Sequence, residues 1–425
     1  MLYLIFLFLA IAILLRIDFV YYIVYVCLGV YAWSRWYPGH ALRHLRVARQ
    51  YNDHAFLGEE INVRLEIENS SRLPLPWLQL TDAIPLGLRK GSQIHTAIAL
   101  RGRETRQLTY TAQAYRRGYY RLGPTYMQLG DLFGFAQREA HLRASYLTIY
   151  PRITPLAQLG LPSRLPFGTL PSRQRLFEDP ARPMGVRPFR SGDSLRQVNW
   201  KVSASKEALL VKTLEPAISL EAALLLNLNA NDYHDRYYGP EWTVEIAASL
   251  AAHLVEKRQA VGLISNGADP LRVEGGEQDD PGFDQESGRL LLRTETPTET
   301  DWHLGHPLGR AAGLMPTPIH PHAGRAHLMK LLELLARLEA DDTVYFPLWI
   351  PRACLGLSWG VTILVLTPRG DLETCQALHR LTRSGYNPVL ILVERQPSFG
   401  QVQERARRLG FTAYEVANQE DFHRW

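Results

Sequence analysis

The sequence predicts a multidomain fold: an N-terminal transmembrane helical hairpin, an immunoglobulin-like β-sandwich and an α/β domain. Three observations predict it. Residues 1–33 are almost wholly apolar except for Arg16 and Asp18. Residues 60–69 alternate polar and apolar side chains almost without fault, the mark of a half-buried strand. From residue 219 onward, apolar runs of strand length alternate with amphipathic helical patterns, which implies a parallel sheet covered on both faces. The expected boundaries are 1–36 for the hairpin, 44–153 for the sandwich, 154–218 for a connector and 219–425 for the α/β domain. An insertion interrupts the last at about 267–322.

At 425 residues the chain is long for one domain, and its 46% hydrophobic and 21% charged residues are those of an ordinary globular protein. A formal charge of +5 is small for this length and does not indicate a nucleic-acid binder. Cys27, Cys354 and Cys375 are far apart and form no C-x-x-C pair, against a disulfide framework or a structural zinc site.

In the first element, the apolar runs 1–15 and 19–33 are each about 22 Å long as helices. Each is short for a hydrocarbon core of about 30 Å, and the whole is too long for one upright span. Two tilted helices joined at Arg16-Ile17-Asp18 resolve the mismatch, because both charges then reach an interface. One long tilted helix with Arg16 and Asp18 paired inside the bilayer costs more. No basic segment precedes the apolar run, so a cleaved signal peptide fits poorly. Arg35, Arg43, Arg46 and Arg49 follow, which by the positive-inside rule makes that flank cytoplasmic. The expected location is the inner membrane, with the folded domains in the cytoplasm.

In the second element, Asn69-Ser70-Ser71 ends the alternating strand as a turn, and further short strands are expected near 78–82, 93–100, 105–114, 119–122, 125–129 and 145–150. Gly and Pro punctuation between short strands argues for the sandwich. Asp131-Leu132-Phe133-Gly134-Phe135 resembles the metal loop of protein kinases, but no other kinase motif accompanies it and a turn is expected. Residues 151–192 are rich in Pro, Gly and Arg and read as a linker or wrapped loop.

In the third element, strands are expected at 220–228, 260–265, 361–366 and 388–393, with helices at 242–257, 326–339, 372–384 and 399–409. The acidic run 277–280 reads as a solvated loop. His303, His306, His320 and His322 match neither H-E-x-x-H nor zinc-finger spacing.

The densest chemistry lies at 182–215, where arginines and lysines recur around a Gly192-Asp193 turn and Trp200 sits between polar runs. Asp193 is expected to accept from Arg190 or Arg196 and to pin the loop, with Trp200 as a buried wedge. The same arginines would also suit a phosphate or an acidic partner surface. Ser203 and Ser205 lie near lysines, yet no nucleophile–base pair with an oxyanion element assembles, so no catalytic residue is assigned.

This segment resembles the signature of the domain-of-unknown-function family 58. The resemblance rests on Arg187-x-Phe189-x-x-Gly192-Asp193, then Arg196-x-x-x-Trp200-Lys201, Ser203-Ala204, and Val211-Lys212 before Glu215. It implies a layout of membrane helices, β-sandwich and a von Willebrand factor A-like domain. In such domains an Asp-x-Ser-x-Ser loop holds magnesium; here Asn227, Asn229 and Asn231 stand in its place, and Thr367 and Asp371 follow in a Thr-Pro-Arg-Gly-Asp run. Neutral amides are weaker ligands for a hard cation than carboxylates. The loop is therefore read as degenerate and no cofactor is expected. The resemblance further implies partnership with a MoxR-type AAA+ ATPase in assembly or maturation of envelope complexes. On that reading the protein is a membrane-tethered scaffold, not an enzyme. An enzyme or anion-binding protein working through the arginine-rich signature is the alternative.

Overall fold

The computed structural model describes residues 3, 10, 13, 18–82, 88, 95–159, 161, 178–190, 195, 198–216, 221–271, 315–342 and 344–416. They form a mixed α/β molecule with several sheets, divided into two compact units, one built on residues up to Pro151 and one from Arg152 onward.

The first unit opens with helix α1 (Asp18–His44). Here the expected fold class and location are corrected. Among the described residues no helix is long and apolar enough to cross a membrane, which overturns the transmembrane hairpin and the inner-membrane placement built on it. The run 1–15 lies almost entirely outside the described residues. The run 19–33 does not end at Trp33: its helix continues through Arg35, Pro38 and His40 to His44. That polar second half lowers the mean hydropathy, while the apolar part alone is about 22 Å long at 1.5 Å per residue. Tyr37 and Ala41 of α1 are buried in a core with residues of the sheets. Ser34 donates to the Asp131 carboxylate and the Tyr37 hydroxyl to the Pro74 carbonyl.

Ten strands follow: β1 (Leu45–Gln50), β2 (His54–Phe56), β3 (Glu60–Asn69), β4 (Leu75–Asp82), β5 (His95–Leu100), β6 (Thr105–Gln113), β7 (Gly118–Leu122), β8 (Thr125–Gly130), β9 (Gln137–Leu142) and β10 (Ser145–Tyr150). They form sheets of order β1-β3-β6, β2-β10-β7 and β5-β4-β8-β9. The alternation read in the sequence is the register of β3. Ile61, Val63, Leu65 and Ile67 are buried, while Glu60, Asn62 and Arg64 are exposed. Ile61 and Val63 pack with Tyr120, Leu122, Leu147 and Ile149 of β7 and β10. Ile67 packs with Leu78, Leu80 and Leu129 of β4 and β8. One strand thus feeds two cores, since every second side chain points the same way. Asp131-Leu132-Phe133-Gly134-Phe135 is a turn: the Asp131 carboxylate accepts from the Phe133 and Ala136 amides and Gly134 adopts φ +72.

The second unit contains β11 (Glu178–Pro188), α2 (Trp200–Lys206), β12 (Leu210–Pro216), β13 (Glu221–Leu226), α3 (Tyr238–Glu256), β14 (Ala260–Ser265), β15 (Ile319–His322), α4 (Arg325–Arg337), α5 (Phe346–Ala353), β16 (Thr362–Thr367), α6 (Leu372–Arg383), β17 (Asn387–Leu392), α7 (Phe399–Leu409) and β18 (Thr412–Glu415). Its main sheet has the order β15-β14-β13-β16-β17-β18, parallel except for the edge strand β15. Strands covered on both faces need apolar residues throughout, and all six residues of β16 are buried. Ala223, Leu225, Ile363, Val365, Leu390 and Leu392 pack against α5, α6 and α7. Helix α3 lies against β13, β14 and β16. β11 and β12 stand apart as a two-stranded antiparallel ribbon.

Candidate functional site

Two places in the second unit gather the residues that the sequence singles out. The first is the ribbon. β11 contains Pro180, Pro183 and Pro188, and its pairing slips between Asp179, Pro183 and Gly185; proline is tolerated in an edge pairing with such irregularities. Arg187 pairs across to Val211, and Val186 to Lys212. The Phe189 amide donates to the Leu209 carbonyl at 2.9 Å. At the start of α2 the Asn199 side chain accepts from the Val202 amide, capping the helix at 3.4 Å. Ser203 is buried, and its hydroxyl accepts from the Leu210 amide at 2.9 Å while facing the Leu210 carbonyl. It therefore ties α2 to β12.

Trp200 corrects an expectation: it is 64% exposed, not a buried wedge. Val186 and Leu209 are exposed as well, as are Arg190, Lys201, Lys206 and Lys212. The buried side is held by Val198 and Val211. Gly192, Asp193 and Arg196, with the proposed pinning turn, lie outside the described residues, and of Glu215 only the backbone, opposite Asp179, is described.

The second place is the carboxyl end of the main sheet. β14 lies on one side of β13 and β16 on the other, so the strand order reverses between β13 and β16. Crevices at such switch points are the usual ligand sites of open α/β sheets. Asn227 follows β13 and is completely buried. Its amide nitrogen donates to Asp232 at 2.8 Å and to the Thr367 hydroxyl at 3.0 Å, bridging the switch point. Its amide oxygen accepts from the Asn229 backbone and the Asn266 side chain, both at 3.1 Å. Asn229 caps the short turn Ala230–Asp232 through the Asn231 amide, and Asn231 bonds Asp342 and Arg236.

The residue that sequence reasoning passed over is Arg369. Its guanidinium donates to Asp232 at 2.7 Å and, through Nε, to Asp371 at 2.9 Å, with a further Nη2 contact to Asp371. Nη2 also reaches the Tyr345 hydroxyl at 3.1 Å, and the guanidinium lies 4.8 Å from that ring's centre. The Tyr345 hydroxyl donates to Glu373, which pushes the phenol up. Burial would raise the Asp371 carboxyl, but bonds from Thr374 and Arg369 outweigh it and hold it below its ordinary value. The carboxylates flanking the loop thus face a fixed guanidinium, and Thr367 serves Asn227 and the Arg369 amide. Among the described residues no group of three or more His, Cys, Asp or Glu could hold a metal ion. An open cleft of about 490 Å3 runs beside this cluster, lined by Asp232, Arg369, Asp371, Gln396, Ser398 and Arg405 among others. The signal that could have found Arg369 was its place between Thr367 and Asp371, but its partner Asp232 is 137 residues away in sequence.

Of the other sequence candidates, His303, His306 and 277–280 lie outside the described residues. His320 and His322 fall on β15, and His322 meets the ring of His327 edge-on.

Comparison with known proteins covers parts of this picture. An uncharacterized protein of Bacillus subtilis (strain 168), YeaD, is 21% identical over 247 residues, which is 56% of this chain and 60% of that protein. The chain therefore spans less than two thirds of that relative. A CARDB domain from Pyrococcus furiosus matches 25% of the chain and 91% of its own length at 13% identity, with a TM-score of 0.18. A β-glucosidase from Listeria innocua matches 25% of the chain and 16% of its own length at 11% identity, with a TM-score of 0.16. Scores so low carry no argument about fold, and none of these matches establishes a von Willebrand factor A-like domain. What the comparisons do establish is a match of residues 185–278, from the ribbon through β14, to the family described as protein of unknown function DUF58.

Proposed function

We propose that this protein is an interaction scaffold without turnover of its own, and that its partner is a MoxR-type AAA+ ATPase acting in assembly or maturation of envelope-associated complexes. The observation that carries the reading is the ribbon. Its two strands form a sheet of their own, joined by Val198 through a bridge to Val211, and helix α2, tied to β12 through Ser203, presents Trp200 at 64% exposure beside the exposed Lys201. Tryptophan and arginine are the residues that most often dominate protein interfaces, and cationic surroundings steer an acidic partner. The second support is chemical. At the switch-point cleft the strongest charges are already matched, Arg369 against Asp232 and Asp371, and no nucleophile–base pair stands among the described residues there.

The test is co-purification of the tagged full chain from cell extract, followed by titration calorimetry with the recovered ATPase. Trp200→Ala is expected to weaken binding about thirtyfold, the equivalent of a loss of about 2 kcal/mol at an interface hot spot. Because the side chain is largely exposed, the unfolding midpoint should stay within the range of surface substitutions, about 0.5 kcal/mol. Repeated recovery without any AAA+ ATPase would defeat the proposal.

A further inference from the structure

The carboxyl end of α1 carries a pair of histidines on one face. His40 and His44 are four residues apart, so their side chains are neighbours on the helix surface. Their ring centres lie 4.3 Å apart, with 37° between the planes. The pair ends an aromatic ladder along the helix. Trp33 meets Trp36 at 5.5 Å, and Trp36 stacks on His40 at 4.7 Å and 20°. That stacking positions the His40 ring, whose nitrogens make no hydrogen bond with the described residues.

The His44 ring is set by a hydrogen bond. Its Nδ1 lies 2.9 Å from the His40 carbonyl, which can only accept, so Nδ1 carries the proton and Nε2 keeps its lone pair. A bond of this kind at the second ring nitrogen is what orients the imidazoles of metal centres. The helix end that holds the pair is anchored. The His44 carbonyl accepts from the Ser70 amide at 2.9 Å and the Ser70 hydroxyl at 2.8 Å, while Tyr37 and Ala41 are buried in the core. Both histidines are half-buried. The last carbonyls of a helix concentrate negative partial charge, which favours a cation there. Arg43 and Arg46, next to the pair in sequence, are exposed, so water screens their charge.

We infer that His40 and His44 form a two-imidazole site for one divalent transition-metal ion, with water completing its coordination. Two nitrogens each about 2.0–2.1 Å from one metal stand about 3 Å apart, a span that rings at this separation can meet. Histidines four apart on one helix face are also the pair that H-E-x-x-H helices offer to zinc. Here Ala41-Leu42-Arg43 lies between them, so the glutamate that serves those helices as a base is missing. Among the described residues no third His, Cys, Asp or Glu completes a metal-holding group with them. Imidazole suits copper, nickel and zinc, and the general order of affinity places Cu(II) first.

Calorimetric titration of the full chain with Cu(II), Ni(II), Zn(II) and Mg(II) tests the site. Cu(II) is expected to bind most tightly, and Mg(II), which takes oxygen ligands, not to bind the pair. His40→Ala and His44→Ala each remove one of two ligands. Either should weaken one equivalent of Cu(II) by more than about tenfold, the lower end of what loss of an outer-shell partner costs. His40→Ala leaves the His44 bond to the backbone intact, so its metal-free unfolding midpoint should match that of the unsubstituted chain. Replacing His320 and His322 by alanine, which lie on β15, should leave the same equivalent in place. Electron paramagnetic resonance of the Cu(II) complex should show two nitrogen ligands, and fewer in either single variant. Acidification should weaken binding with two protons competing for each ion. A Cu(II) equivalent untouched by both single variants, lost instead with His320 and His322, or held by one nitrogen would overturn the inference.

Discussion

Each unit contains an arginine bound to carboxylate, and the two clusters differ in what surrounds them. In the first unit Arg49 and Asp82 have side chains only 1% and 0% exposed, and Asp82 also accepts from Thr125 and Tyr110, both at 2.7 Å. In the second, Arg369 is 21% exposed, Asp232 6% and Asp371 38%. The first pair ties strand ends together in the interior, where removing either partner strands a charge away from water. The second lies at the mouth of a cleft at the sheet's switch point, where water screens part of each charge. The same chemistry therefore serves as a structural node in one unit and as a surface feature with fixed polarity in the other.

The sharpest way to break that contrast is Asp82→Ala. It would leave the Arg49 guanidinium buried without its counterion and the Tyr110 hydroxyl without its acceptor. A loss of about 3–5 kcal/mol is expected, as for other buried pairs broken from one side. Urea unfolding followed by circular dichroism measures it. A loss under about 1 kcal/mol, the scale of surface ion pairs, would mean the pair is not a node.

Arg369→Ala comes next. It removes the donors to Asp232 and Asp371 but leaves Asn227 on Asp232 and Thr374 on Asp371, so a loss of about 1–2 kcal/mol is expected. The sign of the pH dependence follows from Asp371. Its folded carboxyl is held below its ordinary value, so its contribution is complete above the unfolded pKa and is lost as pH falls through the folded one. Without Arg369 the folded carboxyl moves upward, because burial is then opposed by less. The deficit of the variant is therefore largest at neutral pH and narrows on acidification. Stability measured between neutral pH and the acid carboxylate range should show this, and a deficit that widens would contradict it.

How much of this was legible in the sequence depended on distance along the chain. The alternation in 60–69 and the apolar runs of β14, β16 and β17 are local signals, and they coincide with strands to within one residue. The ribbon was read as connector because its prolines and arginines resemble a loop, and only pairing with β12 makes β11 a strand. Helix α5 was missed because Pro347 and Pro351 punctuate eight residues, although the first sits where a helix tolerates it. At 19–33 hydrophobicity suggested a bilayer, but the helix runs on into a polar stretch and its end is buried against strands. Both arginine nodes join residues 33 and 137 positions apart, so no local pattern announced them. The asparagines of the loop after β13 were singled out for the metal ligands they replace. In the fold Asn227 holds Asp232, which accepts from Arg369, while Asn229 caps the turn and Asn231 bonds Asp342 and Arg236.

The smallest expected effect is also the most discriminating. Tyr345 contributes to the Arg369 cluster in two separable ways: its hydroxyl accepts from Nη2 and donates to Glu373, and its ring faces the guanidinium. Tyr345→Phe removes the first and keeps the second. Because the residue is 37% exposed, water takes over the freed partners and a loss of about 0.5 kcal/mol is expected. Tyr345→Ala removes both and should cost about 0.5–1 kcal/mol more, the worth of an exposed cation–π contact. Each substitution made again in the Arg369→Ala background isolates the coupling. If the carboxylates hold the guanidinium, the phenylalanine variant couples weakly to Arg369 and Arg369→Ala remains the larger loss. If Tyr345→Phe alone matches Arg369→Ala, the phenol and not the carboxylate pair fixes the guanidinium. The parallel between the two arginine clusters would then fail at its central point.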